Sequence, residues 1–244
     1  MFDPARLTAD TIAAIKAHAV ACHPAEMCGV ITPDHGFMPL LNRHPNPNSH
    51  FDCSIECAAL QATGQVIAVI HSHPDGPEAP SGDDVAGQLH MAMPWGILLC
   101  TGEGATDPYW WGDQLEPPPL EGRSFRHGPS GTDGKGDCGA LIRDWYRLER
   151  GVLIPDFPRE DGWWRQGKSL YEDHFAAAGF SAVPMEAAEP GDVALFTFRS
   201  PVANHGGIYL GRGIILHHLS GRTSRQESVL GWMKMLTRVL RHAG

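Results

Sequence analysis

The sequence predicts an α+β protein of two domains. Three observations carry that expectation. Short, continuous runs of β-branched and apolar residues recur in both halves, the pattern of strands buried on both faces. Between them lie stretches with apolar residues at helical spacing. A proline-rich segment, residues 113–122 (DQLEPPPLEG), separates the halves and reads as a linker. With 244 residues, each half is long enough to bury its own core.

The elements follow in order. Residues 7–22 (LTADTIAAIKAHAVAC) form the first helix, with Thr8 as N-cap and Ile12, Ile15 and Ala19 on one face. His23-Pro24 ends it, because the residue before proline is driven out of the helical region. Residues 27–32 (MCGVIT) make a short strand, and 65–70 (QVIAVI) a buried one that feeds into His71. Residues 84–92 are helical, and 95–100 (WGILLC) form another buried strand. Beyond the linker, a glycine-rich loop over 127–136 leads to Asp137, Cys138 and a helix over 139–149 (GALIRDWYRLE). A further helix is expected over 169–178, and strands over 192–198 and 206–210. A turn at Gly211-Arg212-Gly213 joins the last of these to 214–217 (IILH) as a hairpin.

Composition excludes several classes. The formal net charge is -9 with no basic run, which argues against nucleic-acid partners. No apolar run approaches the roughly 20 residues a bilayer needs, so no membrane insertion is expected. The opening MFDPARLT lacks a basic region followed by an apolar one, so no signal peptide is expected. The cysteines (Cys22, Cys28, Cys53, Cys57, Cys100 and Cys138) are scattered without a CxxC pair, unlike a disulfide scaffold. Most are expected as small buried hydrophobes, with Cys53 and Cys57 on one helix face.

The first chemical constellation is the stretch IHSHPDGPEAPSGDDV, residues 70–85. Alternate residues of a strand face one way, so His71 and His73 supply half of a tetrahedral zinc site. Asp84 is a candidate third ligand, in the first turn of a helix that Ser81 would cap. Three protein ligands leave a fourth position for water, whose pKa on zinc falls to about 7. A carboxylate must take that proton, and Glu26 in PAEMCGVI, just before a strand, is the candidate. An isolated His-x-His is more often a polar loop. The extended pattern, HSHP with Ser81 and Asp84 beyond it and PAExCGVI upstream, resembles the JAMM metalloprotease signature of MPN-type domains. That resemblance covers residues 1–112. It implies a mixed α/β domain with zinc bound by His71, His73 and Asp84. It also implies Glu26 as general base, Ser81 steadying the tetrahedral intermediate, and hydrolysis of peptide or isopeptide bonds, often beside ubiquitin-like proteins.

The second constellation is Cys138 at the start of a helix, where the macrodipole favours thiolate. A nucleophile needs a base and a group that orients the base. The predicted hairpin places His205, at the start of one strand, beside His217, at the end of the next. Taken alone, Cys138 is more often a buried structural cysteine, and His205 or His217 a polar strand end. The combination DCGAL, NHGGIYLG and a histidine twelve residues after His205 resembles the NlpC-type cysteine peptidases, over residues 123–244. That resemblance implies a papain-like α+β domain that cuts stem peptides of host peptidoglycan. Cys138 would be the nucleophile, His205 the base and His217 its orienting partner. Ala140 stands where serine or glycine is common in that family. His218 adjoins His217, and strand alternation sends the two opposite ways; the spacing favours His217.

Trp163 and Trp164 could stack on a glycan, although such residues are more often core or interface aromatics. Arg222 and Arg225 could meet stem-peptide carboxylates but are more often solvated. A JAMM-like half followed by an NlpC-like half resembles the bacteriophage tail assembly proteins of the lambda K type. The resemblance implies a peptidase made in the host cytoplasm and carried at the virion tail tip, acting in the host periplasm and cell wall. It further implies other tail-tip proteins as partners, a ubiquitin-like tail assembly protein among them. The alternative, from another class, is a structural assembly factor whose peptidase-like domains serve as binding modules.

Overall fold

The computed structural model describes residues 1–244, which fall into two units drawn in the main from residues 1–116 and 117–244. In the first unit, α1 (Ala9–Cys22) is capped by Thr8, whose hydroxyl accepts from the Thr11 amide at 3.1 Å. Its buried residues, Ile15 and Ala19, sit one turn apart on the expected face. Then come β1 (Cys28–Ile31), β2 (Phe37–Leu40), α2 (Ser54–Ala62), β3 (Ala68–Pro74), α3 (Gly82–Met91), β4 (Trp95–Cys100) and β5 (Tyr109–Trp111). The strands form one sheet in the order β2-β1-β3-β4-β5. Only β3 and β4 pair in parallel, and α3 supplies the crossover that a parallel pair requires.

Strand alternation sorts this core into two faces. Met27, Ile31, Ala68, Ile70 and Leu98 pack with Ile15 and Ala19 of α1. Cys28, Val30, Val69, Trp95, Ile97 and Trp111 pack with Cys53 and Cys57 at the start of α2. Helices thus cover both faces of the sheet, which is why β3 reads as a continuous apolar run. The run does not end at residue 70, since β3 continues through His71 and His73 to Pro74. Both histidines share the parity of Val69 and face the α2 side.

In the second unit, β6 (Ser124–Phe125) and β7 (Lys135–Gly136) pair in parallel and bracket the glycine-rich loop. α4 (Cys138–Arg150) follows, ended by Gly151 in the left-handed conformation at φ 66. Next are α5 (Leu170–His174), β8 (Phe180–Val183), β9 (Val193–Phe196), β10 (His205–Gly211), β11 (Ile214–His217), β12 (Arg225–Ser228) and β13 (Leu236–His242). The strands from β8 onward form a six-stranded sheet in the order β12-β11-β10-β9-β13-β8. Leu141, Ile142 and Trp145 of α4 pack on Val193, Leu195, Ile208 and Leu216. The opposite face buries Phe196, Ile215, Val229 and Trp232. The predicted hairpin is present, with Gly211 and Gly213 at φ 87 and 75 in its turn. The helix expected over 169–178 is shorter, ending at His174 in a turn over 175–179 that leads into β8.

Candidate functional site

Two clusters of reactive side chains stand out, one around β3 and one around the start of α4 and the β10–β11 hairpin. In the first, antiparallel pairing sets Cys28 opposite His71. One step on, the Met27 amide donates to Ser72 Oγ at 2.9 Å and the Ser72 amide donates to Met27 O at 3.1 Å. Glu26 lies two residues before β1 and is buried. The Glu26 backbone is fixed from both sides, its amide donating to Pro47 O at 2.7 Å and its carbonyl accepting from Asn42 Nδ2 at 2.9 Å.

His71 and His73 are buried, with their Nε2 atoms 3.2 Å apart. His73 Nδ1 lies 2.8 Å from Pro77 O, a carbonyl that only accepts. That contact puts the proton on Nδ1 and makes Nε2 the ligand nitrogen of His73. The His71 ring stacks on Phe51 at 4.4 Å between centroids, which holds its plane. Ser81 and Asp84 form a reciprocal cap on the first turn of α3. The Ser81 amide and hydroxyl donate to Asp84 Oδ2 at 2.7 and 2.8 Å, and the Asp84 amide donates to Ser81 Oγ at 3.1 Å. The ligand-capable atoms of His71, His73 and Asp84 all lie within 4.8 Å of one another, and all three residues are buried. With zinc–nitrogen bonds of about 2.0–2.1 Å, tetrahedral geometry sets two ligand nitrogens roughly 3.3 Å apart. The observed 3.2 Å and the N, N, O donor set fit zinc.

In the second unit Cys138 opens α4, and Asp137 caps it with Oδ1 accepting from the Ala140 amide at 2.8 Å. Cys138 Sγ shares a 3.1 Å hydrogen bond with Tyr171 Oη. The Gly206 amide also hydrogen-bonds the sulfur, which brings Cys138 to the residue that follows His205. Burial raises the thiol pKa, and the Asp137 carboxylate raises it further; the Tyr171 and Gly206 bonds oppose this without prevailing. Burial and Asp137 therefore work against the thiolate that a helix N-terminus favours. The capping carboxylate already occupies the positive end of the helix.

His205 and His217 meet as the hairpin predicts, Nε2 to Nδ1 at 2.9 Å. Gly207 lies directly opposite His217, and a Cβ there would come within 2.9 Å of the His217 Cβ. The glycine is what lets the two imidazoles approach. His218 turns to the other face, fully buried and edge-on to Phe125 at 5.3 Å. Burial lowers the His205 pKa to about 3, with His217 and His218 adding to the effect. The resting imidazole is neutral and able to accept a proton.

Sequence reasoning missed three participants. Tyr171 lies 33 residues from Cys138 with no motif to mark it. Arg159 binds the carboxylate of Asp137 through two nitrogens. Glu227, on the strand beside His217, lies 3.0 Å from His217 Nε2. The alternation Arg225-Gln226-Glu227 next to a histidine-ending strand was the available signal for the last. Arg225 does not stand as a lone surface charge, since it pairs with Glu227. Trp163 is buried against Trp164 and Tyr171, at 5.6 and 5.9 Å between centroids, as a core aromatic.

Comparison with known proteins yields a family match for each half. The model for prokaryotic homologs of the JAB domain matches residues 8–112, and that for the NlpC/P60 family matches residues 122–241. The tail tip assembly protein K of Escherichia phage lambda is 39% identical over 180 residues, covering 73% of this chain and 83% of its own length. Its namesake from Escherichia phage N15 is 31% identical over 239 residues, covering 95% of this chain and 94% of its own length. Among solved structures, the NlpC/p60 domain of the peptidoglycan hydrolase SagA is 18% identical, covers 50% of this chain and 89% of that one, and has a TM-score of 0.36.

Proposed function

Because the chain belongs to the phage tail tip assembly protein K family, with a JAB-like and an NlpC/P60 domain in that order, we propose that it is a two-site peptidase of the tail tip. The second site would hydrolyse stem peptides of host peptidoglycan during wall penetration. The first would cut a peptide or isopeptide bond in a tail partner during assembly, a ubiquitin-like tail protein being the leading candidate.

The observation that carries the second site is the His205–His217 contact at 2.9 Å. His205 takes the Cys138 proton as the sulfur attacks the scissile carbonyl. The C–N bond breaks, the leaving amine takes that proton from His205, and water then hydrolyses the thioester. His217 holds the His205 ring in place. Catalytic hydrogen bonds are often long in ligand-free structures, so a resting thiol bonded to Tyr171 is compatible with this route.

For the first site, the buried His71, His73 and Asp84 cluster supports a zinc role. A zinc ion there would supply a Lewis acid and lower the pKa of water to about 7. Glu26, buried just ahead of β1, takes the proton of the attacking water. Ser81 steadies the tetrahedral intermediate through its hydroxyl, and holds Asp84 in position at 2.8 Å.

Clearing of purified sacculi tests the wall reading. Wild type clears them and Cys138→Ala does not. Equal clearing by both, or none by wild type, favours the structural assembly factor instead.

A further inference from the structure

We infer that Glu227 is a positioning residue of the cysteine site, the terminal member of a Glu227–His217–His205 relay that fixes the tautomer of both imidazoles; this rests on the cysteine-peptidase reading above. Glu227 Oε1 lies 3.0 Å from His217 Nε2, and His217 Nδ1 lies 2.9 Å from His205 Nε2. Each contact has one proton to share, and the carboxylate decides who holds it.

A carboxylate only accepts hydrogen bonds, so His217 carries its proton on Nε2 and donates to Glu227. His217 Nδ1 is then the lone-pair nitrogen and accepts from His205 Nε2–H. His205 in turn is left with Nδ1 as its lone-pair nitrogen, the end that must act as base. Without the carboxylate, His217 is free to carry its proton on Nδ1 and donate to His205 Nε2. That forces the His205 proton onto Nδ1 and removes the base. The choice between an active and an inactive tautomer is thus made two residues away from the thiol.

The surroundings keep Glu227 in that role. Trp232 Nε1 donates to Oε1 at 2.6 Å, and Arg225 donates to Oε2 through Nη2 at 2.6 Å and Nε at 3.0 Å. Burial opposes the carboxylate charge, but these bonds outweigh it and Glu227 stays below its ordinary range. The Trp232 ring also packs on both imidazoles, 5.1 Å from His205 and 4.7 Å from His217. Charge follows the same line. Burial works against a proton on His217, as do Arg225 and Arg222, whereas Glu227 favours one. When His205 takes the thiol proton, Glu227 supplies the compensating negative charge at the far end of the relay.

Two measurements on the full chain test this. Long-range nitrogen–proton NMR of the imidazoles reads the tautomer without any turnover. Both His205 and His217 are expected as the Nε2–H form in wild type, and Glu227→Gln is expected to lose that form at His217. The second is turnover of a soluble stem peptide. Glu227→Gln is expected to lower kcat tenfold or more with KM little changed, and Glu227→Asp, which keeps the carboxylate, to recover most of it. A wild-type His217 protonated on Nδ1, or a Glu227→Gln variant with unchanged tautomers and turnover, overturns the relay. Turnover that survives His205→Ala, or is missing from wild type, instead overturns the cysteine-peptidase reading, and the spectra still decide the relay.

Discussion

Arg159 grips Asp137 through two guanidinium nitrogens, Nε to Oδ2 at 2.8 Å and Nη2 to Oδ1 at 3.1 Å, and both residues are buried. Asp137 also caps α4 and accepts from the Gly128 amide at 3.0 Å, while Arg159 Nη1 reaches Asp156 at 2.6 Å. One guanidinium therefore ties the glycine-rich loop, the helix that opens with Cys138 and the 156–159 segment together. Arg159→Ala leaves Asp137 buried without its guanidinium and Asp156 with Arg143 alone, an expected loss of about 3–5 kcal/mol. Arg159→Lys keeps a charge but not the fork and should fall between. Urea unfolding measures both; a loss below about 1 kcal/mol for the alanine variant would contradict the assignment.

Acid should destabilise the second unit in two stages. Burial lowers His205 to about 3 and His218 to about 4, from 6.5. Their unfolded forms bind protons first, so their contribution is complete above pH 6.5 and is lost as pH falls toward 3. Burial acts to raise Asp137, but Arg159 and then His127 outweigh it and bring the pKa to about 2, from 3.8. Its contribution is present above pH 3.8 and is lost as pH falls through 2. Melting temperature against pH reads this directly, and a flat profile between pH 7 and 4 would refute the histidine stage.

Alkylation of Cys138 should be slow at neutral pH. Burial and Asp137 hold the thiol pKa above 9.0, and only the thiolate reacts. Tyr171→Phe removes a hydrogen bond that lowers this pKa, so its iodoacetamide rate profile should move to still higher pH. A profile centred near neutrality would contradict both points.

Metal content should approach one zinc per chain in wild type. His71→Ala and Asp84→Ala should lose most of it, and Cys138→Ala none. Glu26→Gln should keep the metal while losing hydrolysis at that site, which separates ligand from base. Elemental analysis of purified variants decides, and zinc that survives His71→Ala would discard the site.

What the sequence disclosed followed local rules. The α1 cap, the parity of His71 and His73, and the hairpin that joins His205 to His217 all depend on neighbours within a few residues or on one tight turn. Features set by distant contacts stayed hidden. Tyr171, Arg159 and Glu227 act on groups reached only after the sheet and α4 have packed. The burial that raises the Cys138 pKa is of the same kind, because dipole and motif are local whereas burial is not. Neither β12 nor β13 has a strong strand pattern: RQES carries no apolar residue, and LTRVLRH mixes charge with Val239 and Leu240.

The place of β13 bears on synthesis. It lies between β9 and β8, pairing Val239 with both Ala194 and Val183. A nascent chain that has passed β12 already contains Cys138, His205, His217 and Glu227, yet lacks the strand that joins β8 to the rest of the sheet. The first unit can fold while translation continues, since domains fold in order from the N-terminus. The six-stranded sheet of the second cannot close until β13 has emerged. Until then Cys138, His205 and His217 stand on a sheet that still lacks its link to β8.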